Sequence, residues 1–300
     1  MKKFFSEDIT IIIKTFNRKE SLIKLLKSIE KLEMTYPIAI ADDSEVPYRD
    51  EILQLFPDLQ ISYYNIPFDS GLSYGRNFLL QKINTELFVL CDDDFYFDKR
   101  TDIEKARNLL ISKDVDILSG VLYNFFKVSN LFDKCLLLTQ HLYSKGFSQT
   151  YVGTIEKSND KVRIDIKTRV KCDFIRCDTV HNFFIGKKSS ILAMGGWDKD
   201  LKLSEHGDFF LRAKEAGIKV GHSSLWGVRH YPVIKKDYIS YRRRDYEIML
   251  FDKHNINEWI DDIDNGSTFI RKRVNDSIVI ERKYHKNLRG TIRKVYNKLK

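Results

Sequence analysis

The run Ile9-Thr10-Ile11-Ile12-Ile13 constrains this chain more than any other feature. Five consecutive β-branched residues with no polar alternation suit a strand buried on both faces. Strands of that kind belong to sheets covered by helices on each side. The residues that follow keep the matching rhythm. Asn17, with Glu20 three residues on, reads as a capping box, and Leu22, Leu25, Leu26, Ile29 and Leu32 then recur at helical spacing. Residues 37–41 read as a second strand, 51–56 as a short helix, 61–65 as a third strand and 71–82 as a helix. Residues 87–91 read as a fourth strand, 102–112 as a helix and 115–120 as a fifth strand. This alternation implies right-handed crossovers and a mostly parallel, Rossmann-like α/β sheet that binds ligands at the carboxyl ends of its strands. Two strands end in acidic clusters, Asp42-Asp43 and Asp92-Asp93-Asp94, so both clusters are expected on one rim.

The later chain is less regular. KVRIDIKTRVKCDFI alternates and reads as antiparallel strands within 121–180. NFFIGK reads as a strand, Gly195-Gly196-Trp197 as a turn, and a helix is expected from about Gly207. Residues 236–262 and the basic end read as helix. The expected organisation is a catalytic domain over 1–235 and a helical, basic extension over 236–300.

Charge supports that division. Residues 271–300 hold 11 Lys/Arg against 2 Asp/Glu, while the first 270 balance at 40 of each. The body is neutral and the tail carries the whole +9. A basic amphipathic tail points to an anionic leaflet. Nucleic acid is not expected as a partner, because the neutral body carries no zinc-finger or RNP pattern. The N-terminus lacks a signal-peptide core, and no apolar run approaches the roughly 20 residues a spanning helix needs. A cytoplasmic protein, peripheral on the inner face of the cell membrane, is the expectation. The four cysteines include no CxxC pair and read as free thiols.

Five constellations carry chemistry. Asp92-Asp93-Asp94 at a strand end repel one another unless cations neutralise them, and carboxylates suit Mg²⁺ or Mn²⁺ shared with phosphates. Asp42 or Asp43 offers an acceptor for a uracil imide, or alternatively a turn cap. In GLSYGRN, Gly71 and Gly75 permit close backbone approach, and Arg76 offers a planar fork to a phosphate. Glu205, His206 and Asp208 cluster before a helix and include a candidate general base, although acidic residues also favour helix N-termini on electrostatic grounds. His230, before a proline turn, is either a metal ligand or a structural histidine.

Taken in order, TIIIKTFNR, IADDS, GLSYGRN, VLCDDDFYF, NFFIGKKSSILAMGGWDKDLKLSEHGDFFLRAKEAG and VRHYP resemble the family 2 glycosyltransferases of the GT-A fold over about residues 8–232. Within that family the last blocks are most similar to β-1,4-N-acetylgalactosaminyltransferase-type enzymes. The resemblance implies an inverting, metal-dependent transfer of a sugar (GalNAc, GlcNAc, Gal or Glc) from a UDP-sugar donor to a glycan or lipid-linked acceptor, in cell-surface polysaccharide synthesis. It implies that Thr15, Asp42, Asp43, Arg76, Asp92, Asp93, Gly196 and Trp197 line the donor, with Gly195 in the same turn. Asp92, Asp94 and His230 fall on the metal site, Asp94 being favoured as direct ligand to Mn²⁺ or Mg²⁺. Many relatives carry Glu-Asp where this chain has Glu205-His206, which leaves the base open among Asp208, Glu205 and His206, the carboxylates being favoured. The competing readings are a nucleotidyltransferase, disfavoured because TFNRKE lacks glycine, and a non-catalytic carbohydrate- or nucleic-acid-binding protein.

Overall fold

The computed structural model describes residues 7–125, 148–202, 204–232, 246–264 and 266–284. The first half follows the sequence rhythm: β1 (Ile9–Thr15), α1 (Lys19–Lys31), β2 (Ile38–Asp42), α2 (Arg49–Leu55), β3 (Ile61–Asn65), α3 (Gly71–Lys82), β4 (Leu87–Asp92), β5 (Phe95–Tyr96), α4 (Ile103–Ser112) and β6 (Ile117–Asn124). Every residue of β1 is buried. Its alternate side chains feed opposite layers. Ile9, Ile11 and Ile13 pack with Leu22, Leu25 and Leu26 of α1, while Ile12 packs with Leu79 and Leu80 of α3. The two-residue period of a strand thus lets one run bury helices on both faces.

The second half continues with β7 (Ser148–Gln149), β8 (Val152–Ser158), β9 (Lys161–Lys167), β10 (Ile175–Cys177), β11 (Thr179–Val180) and β12 (Phe184–Lys187). Then come α5 (Lys188–Ala193), α6 (Glu205–Glu215), β13 (Val220–His230), α7 (Tyr246–His254), β14 (Glu258–Ile263), β15 (Ser267–Val274) and β16 (Ser277–Tyr284). The main sheet runs β10-β13-β6-β12-β4-β1-β2-β3, with β5 on β13 and β7 on β6. β4, β1, β2 and β3 are parallel neighbours, as are β13 and β6. β12 enters between β4 and β6 antiparallel to both, so the sheet is mixed rather than mostly parallel.

A second sheet runs β11-β8-β9-β14-β15-β16. Its Ile155, Val162, Ile164 and Trp259 share a core with Phe209 and Phe210 of α6. The expected helical extension is corrected here. Only Tyr246–His254 of the described C-terminal residues is helical, and 258–284 form three strands. Val274 pairs with Ser277, leaving Asn275-Asp276 as a two-residue hairpin turn with Asn275 at φ 53°. β14 pairs in parallel with β9, and β15 and β16 then add antiparallel at its other edge, so the strand state of this stretch rests on pairing rather than on a local period. Residues 285–300, which hold most of the expected tail helix, lie outside the described residues.

Asn17 is also corrected. α1 has no side-chain cap bond at its N-terminus. Asn17 takes φ 52°, donates its N–H to Ser44 Oγ at 2.8 Å and accepts from Glu45 N at 3.2 Å. It ties the loop after β1 to the loop after β2. The three described cysteines are free thiols.

Candidate active site

Thr15 of β1 pairs in register with Asp42 of β2, and Lys14 with Asp92 of β4. Both acidic clusters therefore sit on one rim of the sheet, at the strands' carboxyl ends. Three basic side chains neutralise them. Lys14 pairs with Asp43, Arg18 bridges Asp93 at 2.5 Å and Asp94 at 2.9 Å, and Arg76 bridges Asp92 at 3.3 Å and Glu205 at 3.2 Å. Lys14 is buried, and that burial pushes its ammonium below the usual lysine range while Asp43 pulls it back up. Six carboxylates face three cations, so the rim keeps a negative excess suited to a further cation.

The two acidic pairs differ in access. Asp42 and Asp43 are buried. Asp42 accepts from Tyr63 Oη at 2.7 Å and Ser44 N at 2.9 Å, and Asp43 accepts from Gly71 N at 2.9 Å. Contrary to expectation, their carboxylates hold the β2 loop and the start of α3 rather than face outward. Thr15 is buried too, donating to Asp93 at 2.8 Å and sharing a hydrogen bond with Tyr48 Oη at 3.0 Å. Burial pushes Asp93 upward against the pull of Arg18. Asp92 stays 29% exposed and opens onto a cavity.

Asp94 Oδ1 lies 3.5 Å from His230 Nε2. His230 Nδ1 meets Asn124 Oδ1 at 2.6 Å, and because an amide oxygen only accepts, Nδ1 carries the proton. Nε2 faces the Asp94 carboxylate oxygen, and a proton on Nε2, or a cation in its place, joins the two. Burial raises the Asp94 pKa, but His230 and Arg18 more than offset it and hold the group ionised. Asp94 and His230 set one carboxylate beside one imidazole, donor types that Mn²⁺ and Mg²⁺ accept. Among the described residues no three His, Cys, Asp or Glu side chains already converge as a complete ligand set.

The helix-start cluster separates into three roles. Glu205 is buried and turned to Arg76. His206 borders the cavity, with Nδ1 2.9 Å from Asn182 Oδ1. Burial, with Arg76's charge, lowers its pKa to about 4, so the ring is neutral at pH 7. Asp208 is fully buried and tied to His254 at 2.9 Å and to Arg212 and Lys253 at 2.7 Å each. Burial opposes its ionisation, but these partners hold it well below the usual carboxylate range. An accessible base it is not; it locks α6 to α7.

Gly195 and Gly196 take φ 88° and 67°, and a Cβ on Gly196 would sit 2.3 Å from Asn77 Oδ1. Asn77 thereby bonds Trp197 N at 2.9 Å and Trp197 O at 2.6 Å. Trp197 is buried and stacked on Phe209 at 4.6 Å, so it offers no open platform to a sugar. Its ring backs the Arg76 guanidinium at 5.5 Å. Arg76 is buried as well and acts by orienting Asp92 and Glu205.

The model of glycosyl transferase family 2 matches residues 10–177, more than half of the chain. The chain belongs to glycosyltransferase family 2. Rat β-1,4 N-acetylgalactosaminyltransferase 1 is 28% identical over 232 residues, 77% of this glycosyltransferase and 40% of the relative. The mouse β-1,4 N-acetylgalactosaminyltransferase 2 is 28% identical over 203 residues, 68% and 35% of the two chains. This glycosyltransferase thus spans about two fifths of the length of these curated relatives or less. Its fold is GT-A. S. aureus TarS 1–349, solved in complex with UDP-GlcNAc, superposes with TM-score 0.56 at 15% identity over 81% of this chain and 65% of that one. GalNAc-T7, solved with UDP, GalNAc and Mn²⁺, superposes with TM-score 0.55 at 12% identity over 76% and 43%.

Several residues of this enzyme's rim escape a reading of motifs. Lys14 signals itself only as the lone charge inside a buried strand. Arg18 stands one turn beyond the strand with nothing local to show that it bridges two aspartates 75 residues away. Asn124, Asn182 and His254 carry no sequence signal, because each acquires its role from a partner on another element.

Proposed function

We propose that this glycosyltransferase moves a hexose or N-acetylhexosamine (GalNAc, GlcNAc, Gal or Glc) from a UDP-sugar to a hydroxyl of a glycan or lipid-linked acceptor, with inversion at the anomeric carbon. The observation that carries this reading is the Asp94–His230 pair, its tautomer set by Asn124, beside the open Asp92 carboxylate. Asp94 and His230 would hold a divalent cation, which when bound would supply neutralising charge for the leaving nucleoside diphosphate.

The chain's own groups do the rest. Arg76 holds Asp92 toward the cavity and keeps Glu205 turned away from it. Of the three candidate bases, Asp208 is enclosed and Glu205 is paired, whereas His206 borders the cavity as a neutral imidazole. We assign the proton acceptance to His206. Its low resting basicity rises when an anionic diphosphate offsets Arg76's charge. A single base opposite the leaving group gives in-line displacement and inversion.

The similarity to β-1,4 N-acetylgalactosaminyltransferases favours GalNAc among the donor sugars, and assembly of a surface polysaccharide is the proposed setting. The basic end of the chain favours an anionic leaflet as the working surface, each basic residue near it adding roughly 1 kcal/mol. No helix of the described residues is long and apolar enough to cross a membrane.

A thermal-shift panel of UDP, GDP, CDP and dTDP with and without Mn²⁺ tests the donor reading. UDP is expected to stabilise most and only strongly with Mn²⁺; a preference for another nucleotide, or no Mn²⁺ effect, refutes it. Co-sedimentation of the full chain with anionic and neutral vesicles tests the surface. Salt-sensitive pelleting with anionic vesicles alone supports it, and equal behaviour with both refutes it.

A further inference from the structure

We propose that the wall of the cavity built by the second sheet is the acceptor subsite, and that it takes an uncharged pyranose with vicinal hydroxyls. The inference rests on the glycosyl-transfer reading above. The cavity measures about 420 Å³, within the size range of small-molecule sites. Asp92, His206 and His230 border one part of it. Tyr151, just ahead of β8, Trp259 and Asp261 of β14, and Arg271 of β15 border another. A glycan reaching the proposed base would rest on residues from outside the main sheet.

The charges on this wall select the occupant. Asp261 accepts from Trp259 Nε1 at 2.9 Å and pairs with Arg271. The Arg271 guanidinium lies 5.3 Å from the Trp259 ring centre and 3.6 Å from Glu247. Its charge is already matched by two carboxylates, so an anionic acceptor group would meet repulsion rather than an open cation. A neutral diol suits the pair: one hydroxyl donates to Asp261 and its neighbour accepts from Arg271.

An independent observation points the same way. His181 borders the cavity, and its Nε2 is buried with no hydrogen-bond partner among the described residues. Such an atom is costly to leave unpaired, and a sugar hydroxyl would satisfy it. Tyr151 packs near both histidines, 5.5 Å from the His181 ring and 5.9 Å from that of His206. Its half-buried ring offers an apolar contact for the C–H face of a pyranose, with the buried Trp259 and Phe210 bordering the same cavity. The whole wall is seated on the catalytic helix at Gly207, where a Cβ would come within 2.9 Å of the Trp259 ring.

The test uses the full chain and saturation-transfer NMR with methyl β-D-glucopyranoside, methyl β-D-galactopyranoside and methyl β-D-glucuronide, each with and without UDP and Mn²⁺. A neutral glycoside is expected to bind. Asp261→Asn and His181→Phe, which keep side-chain shape, are each expected to weaken it tenfold or more. Unfolding temperature and UDP affinity report whether each variant remains folded. Wild-type glycoside affinity in both folded variants overturns the proposal. So does tighter binding of the glucuronide, or no glycoside binding by a wild-type chain that binds UDP. Failure of UDP to bind refutes the donor reading instead, while the glycoside titrations without UDP still decide the subsite.

Discussion

Asp208 and His254 meet at 2.9 Å across 46 residues of chain, and this contact joins α6 to α7, the helix that precedes the C-terminal strands. Arg212 and Lys253 complete the cage around the same carboxylate. Asp208 therefore ties α6, which carries His206, to α7.

Asp208→Asn is expected to destabilise the fold by about 3–5 kcal/mol, because it leaves buried cationic partners unmatched. Urea unfolding measures this. The native carboxyl pKa lies below its unfolded value near 3.9. The stability it contributes is thus present above pH 4 and is lost as pH falls through the native pKa. An unchanged urea midpoint in the variant would refute the anchoring role.

Replacing Asp94 by Ala is expected to abolish Mn²⁺-dependent UDP binding while the fold persists, since it removes one of several mutually repelling carboxylates. Asn124→Leu acts one step further out. Losing the acceptor for His230 Nδ1–H is expected to weaken Mn²⁺ affinity about 10–100-fold. Isothermal titration with Mn²⁺ in the presence of UDP reads both. Wild-type metal affinity in Asp94→Ala would move the metal site elsewhere.

His206→Gln is expected to lower kcat about 10²–10⁴-fold with the donor KM little changed, as removal of a general base does. The kcat/KM profile of the native enzyme should keep its acid limb near pH 4, because burial and Arg76 hold the free imidazole there. An acid limb at the ordinary histidine pKa near 6.5 would argue against His206.

Stability itself is expected to fall between pH 6.5 and pH 4. Burial lowers His206 and His222 to about 4 each, against roughly 6.5 when unfolded. Above 6.5 both states are neutral and pay nothing. Between the two values the unfolded chain takes up protons that the folded chain refuses, so stability drops as pH falls, by on the order of 3 kcal/mol per histidine. Below 4 the folded state protonates too and the loss levels off. Denaturation midpoints across this range check the slope, and His222→Gln should remove one histidine's share of it.

Much of this enzyme was legible in local sequence. β1 was readable from five β-branched residues because no other element buries such a run on both faces. The common rim of Asp42-Asp43 and Asp92-Asp93-Asp94 followed from parallel topology alone, since parallel strands end on the same side. α3 began at Gly71 as read, where φ is +90°. His206 was identifiable as a candidate, but local sequence offered no means of ranking it against Asp208.

Tertiary structure made that choice. Asp208 and His206 lie on one helix turn, yet one is caged by Lys253 and His254 from α7 and the other borders a cavity. The same holds for Trp197, which a Gly-Gly turn advertises as a platform and Phe209 buries. It holds for 258–284, which become strands because β9 offers an edge to β14 and each later strand pairs with the one before it. Spacing along the chain reports which residues share an element. Burial, proton position and charge pairing depend on neighbours brought in from tens of residues away, and these decide which carboxylate holds the fold and which side chain meets the substrate.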